Sequence, residues 1–474
     1  MSRRSTATMT LDQRYENASE QAYLHGQDHI FAYWDDLTTK QKERLLDQAE
    51  AIDYQFIKDT FNKDAQQQPP TEGITPPKTI EKGNVSERIR QKGRDPLQQG
   101  RIAVLIVAGG QGSRLGFDGP KGCYPCTPLT KKSIFQLLAE KVKAAGQRYG
   151  ATPELYIMTS ETNHDDTVAF FKEHDHFGLD QDKVVFFQQR MLPAVDENGH
   201  VLLKGKGEIA TAPCGTGGTY AALADAGLLD RMERKGITMV NYLQVDNPLA
   251  PVADEAFIGQ HLLEGAEIST KAVEKTYPEE KVGLLVEKDG KTRMLEYIFL
   301  SKKMAERRDE DGKLAYRAGN IAIHLINTSF IRRVNQEADL PHFLAHKKVD
   351  HLDRDGTPVN PEKPNAYKFE SFIFDALPLA EHAMTMMVPR EEEFAPIKNK
   401  DGKDSPDSSK NLQIAQAKRW LEAAGITKEA ISRVETVETS PLLATDAQAF
   451  AQAIENKKDT IEAHLKKVKK AYLS

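Results

Sequence analysis

The chain has 474 residues, with 64 lysines and arginines against 70 aspartates and glutamates, so its formal net charge is −6. A hydrophobic share of 39% is too high for a disordered protein, and the length exceeds the roughly 250–300 residues that one core usually holds, so two or three domains are expected. No stretch approaches the ~20 apolar residues of a membrane-spanning helix, and three cysteines form no disulfide framework. Because the charge is nearly balanced and no apolar segment follows the basic start, we expect a cytoplasmic protein that binds neither a membrane nor a nucleic acid.

The first part of the chain predicts a helical scaffold and then a change to α/β structure. Residues 10–62 carry apolar side chains at three- and four-residue spacing, which predicts helices. Residues 66–84 are rich in glutamine and proline and predict a surface connection. From residue 101 onward, apolar runs of strand length alternate with helical segments, which is typical of a parallel sheet covered on both faces. The predicted strands are Ile102–Ala108, Leu155–Thr159, Val184–Gln188 and Met239–Val245.

The helices between these strands have recognisable ends. Ser133 is placed to cap a helix and Gly146 to end it. A second helix is predicted over Thr219–Lys235.

The remainder of the chain predicts antiparallel additions to the sheet. Val282–Glu287 and Thr292–Ile298 flank an Asp-Gly pair and predict a hairpin. Residues 399–411 predict a polar loop, and Thr445–Tyr472 a charged terminal helix. We therefore predict a Rossmann-like, mixed but mainly parallel α/β fold. Its parts are an N-terminal helical segment with linker (1–99), an α/β domain (100–395) and a small C-terminal portion (396–474).

The segment VAGGQGSRLGFDGPKG, residues 107–122, is the strongest chemical signal in the chain. Glycines directly after a buried strand let backbone N–H groups approach an anion closely. The loop also has its own cations, Arg114 and Lys121, so it predicts a polyphosphate site.

Two common phosphate motifs fit this loop poorly. A P-loop needs Ser or Thr after its lysine, whereas Lys121 is followed by Gly122. A dinucleotide site needs an acidic residue about 20 positions on, where the chain has Lys131 and Lys132.

The loop GGQGSRLGFDGPKG resembles the signature loop of the eukaryotic-type UDP-sugar pyrophosphorylases, and among them most closely those for UDP-N-acetylglucosamine. Further similar segments follow in the same order over residues 100 to about 440. They are FQQRMLPAVDENGHVLL (187–203), APCGTGGTYAAL (212–223), YLQVDNPLAPVADEAFIG (242–259), KAVEKTYPEEKVGLL (271–285), RAGNIAIH (317–324), ESFIFDALPLA (370–380) and REEEFAPIKNKDGKDSP (390–406).

The resemblance implies that UTP and a sugar 1-phosphate react to a UDP-sugar and pyrophosphate, with N-acetylglucosamine 1-phosphate as the leading substrate and Mg²⁺ as the cofactor. The α/β domain would then be the nucleotidyltransferase domain. Arg114 and Lys121 are the candidate catalytic cations on the nucleotide side, and the resemblance places Lys398 near the sugar phosphate. Asp246 follows an apolar strand, so its carboxylate is the candidate Mg²⁺ ligand at the edge of the sheet.

The resemblance also implies residues that read the two substrates. The candidate nucleotide-binding residues are Gly109, Gly110, Gly112, Gln189, Gly217 and Gly218. The candidate sugar-binding residues are Gly283, Glu296, Asn320, Phe372 and Phe374.

The chain departs from the resemblance at Cys214 and Thr216, beside the substrates, so the identity of the sugar stays open. The alternatives are the same reaction on glucose, galactose or N-acetylgalactosamine 1-phosphate, and a non-catalytic UDP-sugar-binding protein. A nicotinamide-dependent oxidoreductase is disfavoured because the acidic residue of its fingerprint is missing.

Overall fold

The structure, a computed structural model, describes residues 9–64, 71–337 and 340–474. It divides into two compact units, each built from discontinuous stretches of chain. Unit 1 comprises residues 1–69, 190–218 and 340–373, and unit 2 comprises residues 70–189, 219–339 and 374–474. The division predicted from the sequence follows consecutive segments (1–99, 100–395 and 396–474), whereas each of these two units combines discontinuous stretches.

The central feature of unit 2 is a ten-stranded mixed sheet. Ile102–Val107 pairs in parallel with Leu155–Thr159 and with Met239–Gln244, whereas Ala318–Asn327 is antiparallel to its neighbours. In pairing order the strands are Thr79–Glu81, Ala383–Met387, Ile268–Glu274, Ala318–Asn327, Met239–Gln244, Ile102–Val107, Leu155–Thr159 and Val184–Gln188. Ala318–Asn327 also pairs with Leu284–Lys288, which forms a hairpin with Lys291–Leu295.

The predicted strands and hairpin form where the apolar runs indicated. Every residue of Ile102–Val107 is buried, as expected for a strand with helices on both faces. The hairpin turn has positive φ at Asp289 (52°) and Gly290 (71°), which an Asp-Gly pair tolerates. The predicted mixed, mainly parallel sheet is confirmed.

Helices of unit 2 cover the sheet and build a second, smaller core toward the C-terminus. The helices are Glu87–Gln98, Ile134–Tyr149, His164–Glu173, Gly218–Asp225, Leu228–Arg234, Glu255–Glu264, Lys302–Glu306, Thr328–Glu337, Arg390–Glu393, Pro406–Ala423, Lys428–Arg433, Ala447–Ala453 and Lys458–Leu465. The smaller core also includes the paired strands Thr436–Thr439 and Lys470–Leu473.

The end predicted for the helix after the first strand is wrong. Ser133 caps this helix, with its Oγ accepting the N–H of Gln136 at 3.0 Å, but the helix continues past Gly146 and ends at Gly150 (φ 81°). Gly146 is required for packing instead, because a Cβ there would lie 2.1 Å from the Oγ1 of Thr152.

Three other predictions differ from the structure. Thr219–Lys235 is broken into two helices at Gly227, whose φ is 66°. The polar loop predicted over 399–411 ends early, because Ser405 caps the helix that begins at Pro406. The single terminal helix predicted over Thr445–Tyr472 is instead two short helices and a strand.

Unit 1 contains the predicted N-terminal helices, packed with short antiparallel strand pairs on one apolar core. Its helices are Leu11–Leu24, Thr39–Glu50 and Tyr54–Asp64, and its strands are Met191–Pro193, Leu203–Gly205, Glu208–Ile209, Thr211–Pro213, Phe343–Lys347, His351–Leu352, Pro358–Val359 and Ala366–Glu370. Of the surface connection predicted over 66–84, residues 66–70 lie outside the described residues, and Thr79–Glu81 joins the edge of the large sheet in unit 2.

Candidate active site

The glycine-rich loop of unit 2 follows strand Ile102–Val107 and folds back on itself. The N–H of Gly112 donates to the carbonyl oxygen of Gly119 at 2.8 Å, and the N–H of Lys121 donates to that of Gly110 at 3.1 Å. Lys121 therefore lies beside the first glycines, at the carboxyl end of a buried strand. This is the edge at which α/β sheets bind ligands.

Close packing explains two of these glycines. A Cβ on Gly112 would lie 2.7 Å from the Cδ1 of Phe117, and a Cβ on Gly109 would lie 2.5 Å from the Nε2 of Gln189. Gln189 is itself buried, and its N–H donates to the carbonyl oxygen of Thr159 at 2.8 Å. The side-chain amide of Gln189 thus lies against the glycine loop, where the resemblance places a nucleotide-reading residue.

The beginning of the loop offers backbone donors. Within the described residues, the N–H groups of Gly109, Gly110 and Gln111 donate to no other backbone group. Gly110 is exposed, and a Cβ there would meet open space. Consecutive N–H groups of this kind suit a phosphate.

Asp246 lies at the same edge of the sheet as the glycine loop. Strand Met239–Gln244 runs parallel to Ile102–Val107 with Gln244 opposite Val107, and the N–H of Val245 donates to the carbonyl oxygen of Val107 at 3.1 Å. The chain therefore leaves both strands together, as expected for the carboxyl ends of adjacent parallel strands.

Lys398 reaches this edge from a distant part of the sequence. The N–H of Ile397 donates to the carbonyl oxygen of Asp246 at 2.8 Å, which brings the next residue, Lys398, to the end of strand Met239–Gln244. The side chain of Lys398 is exposed, with its Nζ 5.8 Å from the ring centre of Phe394.

Asp246, Lys398 and Arg114 each act electrostatically on Lys121, and we call these four residues the charge cluster. The pKa of Lys121 is lowered, chiefly because the side chain is largely buried. Attraction by Asp246 raises this pKa, and repulsion by Lys398 and Arg114 lowers it. Three cations and one carboxylate leave an excess of two positive charges at an open edge. This excess suits a polyphosphate, and the structure thus brings together the four residues that the sequence analysis singled out for catalysis and metal binding.

A second group of predicted residues lies nearby in unit 2. It consists of Gly283, Glu296 and Asn320. The N–H of Asn320 donates to the carbonyl oxygen of Gly283 at 2.9 Å, and a Cβ on Gly283 would lie 3.8 Å from the Oε1 of Glu296. Partial burial of its carboxyl group raises the pKa of Glu296. Asn320 is at the start of Ala318–Asn327, which is antiparallel to Met239–Gln244, so it lies at the same edge as Asp246.

Unit 1 brings together its own predicted residues. The N–H of Gly217 donates to the carbonyl oxygen of Ser371 at 3.0 Å, and a Cβ on Gly217 would lie 2.8 Å from the backbone nitrogen of Phe372. A Cβ on Gly218 would lie 2.2 Å from the Sγ of Cys214, so the departure at Cys214 packs directly on a candidate nucleotide residue. Phe374, in the turn Ile373–Leu379, belongs to unit 2.

The charge cluster supplies a single carboxylate for a metal. Within the described parts of the chain, no three His, Cys, Asp or Glu side chains are grouped so that they could hold a metal ion. Mg²⁺ nevertheless binds commonly through one or two carboxylates together with substrate phosphates. Asp246, at the same edge of the sheet as a glycine loop with open N–H groups, fits this pattern.

A cavity of about 440 Å³ in unit 2 is separate from the charge cluster. Its lining includes Thr127, Lys141 and Trp420, and none of the four residues of the charge cluster. The candidate site is therefore the open edge of the sheet.

Asn247, which directly follows Asp246, is not among the residues predicted from the sequence. Its side chain is buried and hydrogen-bonds to the backbone of the segment that leads to Lys398. An amide at the end of an apolar strand was the available signal, but its partners are backbone groups nearly 150 positions away in the sequence.

Comparison with known proteins identifies the family. A profile of the family described as UTP–glucose-1-phosphate uridylyltransferase matches residues 49–471. The chain belongs to this family. Membership confirms the resemblance drawn from the glycine loop and makes the protein a uridylyltransferase-type nucleotidyltransferase, as predicted.

Individual uridylyltransferase-family members are similar over nearly the whole chain. Human UDP-N-acetylhexosamine pyrophosphorylase-like protein 1 is 37% identical over 426 residues, which cover 84% of this chain and 84% of that protein. UDP-N-acetylglucosamine pyrophosphorylase of Saccharomyces cerevisiae is 35% identical over 438 residues, covering 86% and 91%. The solved structure of uridine diphosphate N-acetylglucosamine pyrophosphorylase from Trypanosoma brucei, in complex with an inhibitor, superposes with a TM-score of 0.84 at 27% identity, covering 99% of both chains.

The same structural likeness confirms the predicted α/β fold class of this family member. Among its described residues, no helix combines the length and apolar character that crossing a membrane requires.

Proposed function

We propose that this protein transfers the uridylyl group of UTP to N-acetylglucosamine 1-phosphate and releases pyrophosphate. The names of the human and yeast relatives support an N-acetylated hexosamine as the sugar. The observation that carries the chemistry is the convergence of three cations and one carboxylate in the charge cluster, beside a glycine loop with open N–H groups.

In this reaction a phosphate oxygen of the sugar 1-phosphate attacks the α-phosphorus of UTP. A new P–O bond forms, the bond from the α-phosphorus to the oxygen shared with the β-phosphate breaks, and pyrophosphate leaves with that electron pair. Two anions must approach each other, so the barrier is largely electrostatic. Arg114 and Lys121 would neutralise the leaving pyrophosphate, and Lys398 the incoming phosphate.

The remaining predicted residues would read the substrates. The Oδ1 of Asn320 already accepts the N–H of Ala322 at 2.9 Å, so the NH₂ group of Asn320 is the part left for a sugar hydroxyl. The carboxylate of Glu296 would accept a second hydroxyl, and Gly283 would allow the ring to approach its backbone. Gln189 is proposed to contact the uracil, since its side-chain amide can pair with a polar edge. Gly217 and Gly218, which are buried in unit 1, are proposed as nucleotide-binding residues on the resemblance. Phe372 and Phe374 are proposed to border the sugar.

We propose Mg²⁺ as the cofactor, with Asp246 as its ligand from the protein and substrate phosphates as further ligands. The ion would add positive charge at the transferred phosphate. Chelation with EDTA should abolish turnover, excess Mg²⁺ should restore it, and Asp246→Asn should raise the Mg²⁺ concentration needed for half-maximal rate. Full activity in EDTA would contradict the assignment.

The test is pyrophosphate release from UTP with a panel of sugar 1-phosphates: N-acetylglucosamine, N-acetylgalactosamine, glucose and galactose. We expect the highest kcat/KM with N-acetylglucosamine 1-phosphate. Absence of turnover with every member would overturn the proposal, and tight UDP-sugar binding without turnover would indicate a binding protein.

The second candidate is the same reaction on glucose 1-phosphate. The description of the matching family, which names glucose 1-phosphate, favours it. A higher kcat/KM for glucose 1-phosphate in the same panel would establish it.

We also propose a reducing, cytoplasmic compartment. None of the three cysteines forms a disulfide, which favours it.

A further inference from the structure

The segment that carries Lys398 is held directly by Asn247. The Nδ2 of Asn247 donates to the carbonyl oxygen of Glu393 at 2.8 Å, and its Oδ1 accepts the N–H of Ala395 at 2.9 Å. Asn247 is 2% exposed, so both bonds are shielded from water. One side chain thus satisfies two backbone groups of the segment.

Further bonds continue this attachment up to Lys398. The hydroxyl of Ser409, which is fully buried, donates to the carbonyl oxygen of Ala395 at 2.8 Å. The N–H of Ile397 donates to the carbonyl oxygen of Asp246 at 2.8 Å, and the N–H of Lys398 donates to that of Asp404 at 2.7 Å. Five hydrogen bonds therefore hold the backbone at four residues, which are Glu393, Ala395, Ile397 and Lys398.

A buried ion network anchors the beginning of the segment. It consists of Lys82, Asp254, Lys271 and Glu393, and Lys271 is completely buried. The Nζ of Lys271 lies 2.6 Å from the Oε2 of Glu393, and the Nζ of Lys82 lies 2.5 Å from its Oε1. Removing one member leaves a buried charge uncompensated, so Glu393 is held firmly.

We propose that Asn247 is a positioning residue, which fixes Lys398 relative to the carboxylate of its own neighbour, Asp246. The backbone carbonyl of Asp246 and the side chain of Asn247 together hold the segment that carries Lys398. This fixes the spacing between Lys398 and the candidate metal ligand, the carboxylate of Asp246, before substrates bind. This inference rests on the proposed function. Because misplacement of a reacting group by about 1 Å can cost about 100-fold in rate, loss of the attachment should be felt in kcat.

The test is a double-mutant cycle between Asn247→Ala and Lys398→Ala. Asn247→Ala should lower kcat by roughly 10- to 100-fold with the KM for UTP nearly unchanged. In the Lys398→Ala background the same substitution should lower kcat by less than about threefold, because the group that it positions is already absent. An equal fold-loss in both backgrounds would overturn the proposal.

Asn241→Ala is the matched control, since it likewise removes a buried side-chain amide. Asn241 lies in strand Met239–Gln244, a few residues before Asn247. The Oδ1 of Asn241 accepts the N–H of Ala253 and not a group of the Lys398 segment. The fold-loss in kcat caused by Asn241→Ala should multiply with the fold-loss caused by Lys398→Ala. If Asn247→Ala fails to fold, Ser409→Ala, which removes one bond to the same segment, takes its place with the same expected non-additivity.

Amide hydrogen exchange tests the attachment without any turnover. The N–H groups of Ala395 and Ile397 should be protected in the wild-type chain, and Asn247→Ala should increase exchange over residues 393–399 by about tenfold or more while strand Ile102–Val107 is unaffected. Unchanged exchange over 393–399 would overturn the inference. If the wild-type chain turns over no sugar 1-phosphate, the proposed function fails, and the exchange result alone still decides whether Asn247 holds the segment.

Discussion

Asp246 contributes to the site through two different groups. Its carboxylate interacts with Lys121, whereas its backbone carbonyl oxygen accepts the N–H of Ile397. A side-chain substitution removes the first interaction and leaves the second. Charge and structural support can therefore be separated at this one residue.

We expect Asp246→Ala and Lys398→Ala each to lower kcat for N-acetylglucosamine 1-phosphate by about 100-fold or more, because in the proposed function Asp246 is the Mg²⁺ ligand and Lys398 neutralises the incoming phosphate. The thermal midpoint should shift by only a few degrees, since the side chain of Lys398 is exposed and that of Asp246 only partly buried. Steady-state kinetics and thermal unfolding measure the two effects.

Lys428→Ala is the control, since its side chain is 87% exposed and Lys428 is none of the predicted site residues. It should keep wild-type kcat. A near-normal rate in either Asp246→Ala or Lys398→Ala would contradict the assigned role.

At the scale of elements, the helix Ile134–Tyr149 shows how packing overrides a local signal. A glycine near the expected end of a helix ordinarily indicates a cap. Here the Cα of Gly146 lies so close to Thr152 that a Cβ would be 2.9 Å from the Cα of Thr152 as well as 2.1 Å from its Oγ1. The glycine serves the contact between the helix and the chain that returns to strand Leu155–Thr159.

Gly146→Ala should therefore destabilise the protein by about 1–3 kcal/mol through overpacking. A glycine that merely occupied the helix interior would give the opposite sign, because alanine is favoured there by about 1 kcal/mol. Urea unfolding of the two proteins measures the difference, and a stabilised variant would refute this explanation of Gly146.

At the scale of the whole molecule, two buried histidines of unit 2 make stability depend on pH. Burial lowers the pKa of His261 to about 4 and that of His324 to about 3. The ring of His261 forms hydrogen bonds with the side chains of Ser269 and Asn327, and the ring of His324 forms one with the side chain of Thr270. Both histidines are therefore neutral in the folded protein at pH values where the unfolded chain binds protons.

The free energy of unfolding should be independent of these histidines above about pH 6.5 and should fall as the pH is lowered toward 4. For His261 the loss is on the order of 3 kcal/mol at 1.36 kcal/mol per pKa unit. Asp254 contributes in a different window. Its pKa is lowered by Lys271 and Lys82 against the effect of burial, so its contribution is lost only below about pH 4.

Urea unfolding between pH 4.5 and 7.5 checks this prediction. His261→Gln should flatten the slope, whereas the exposed His382→Gln should leave it as in the wild-type chain. An unchanged slope in His261→Gln would contradict the assignment to His261.

Much of unit 2 could be predicted because its signals are local. Four largely apolar runs indicated buried parallel strands, and the Asp-Gly pair at 289 and 290 indicated the hairpin turn. Since the carboxyl ends of parallel strands share one edge, the strands also predicted that Gly109 and Asp246 lie at the same edge, and the structure makes their two strands neighbours. The pattern failed at Gly146 and in the region after Thr445, where contacts with distant residues set the ends of helices.

By itself, the sequence determined the α/β class, the glycine loop and the carboxylate at the strand end, because apolar periodicity and glycine placement are properties of short stretches. Its collinear motifs indicated the family by resemblance. Only the tertiary structure decided that Lys398 joins Asp246, that Asn247 holds its segment, and that unit 1 is assembled from three separate stretches. The partners in these bonds are backbone N–H and carbonyl groups, which almost every residue has, so the sequence does not mark which of them will pair.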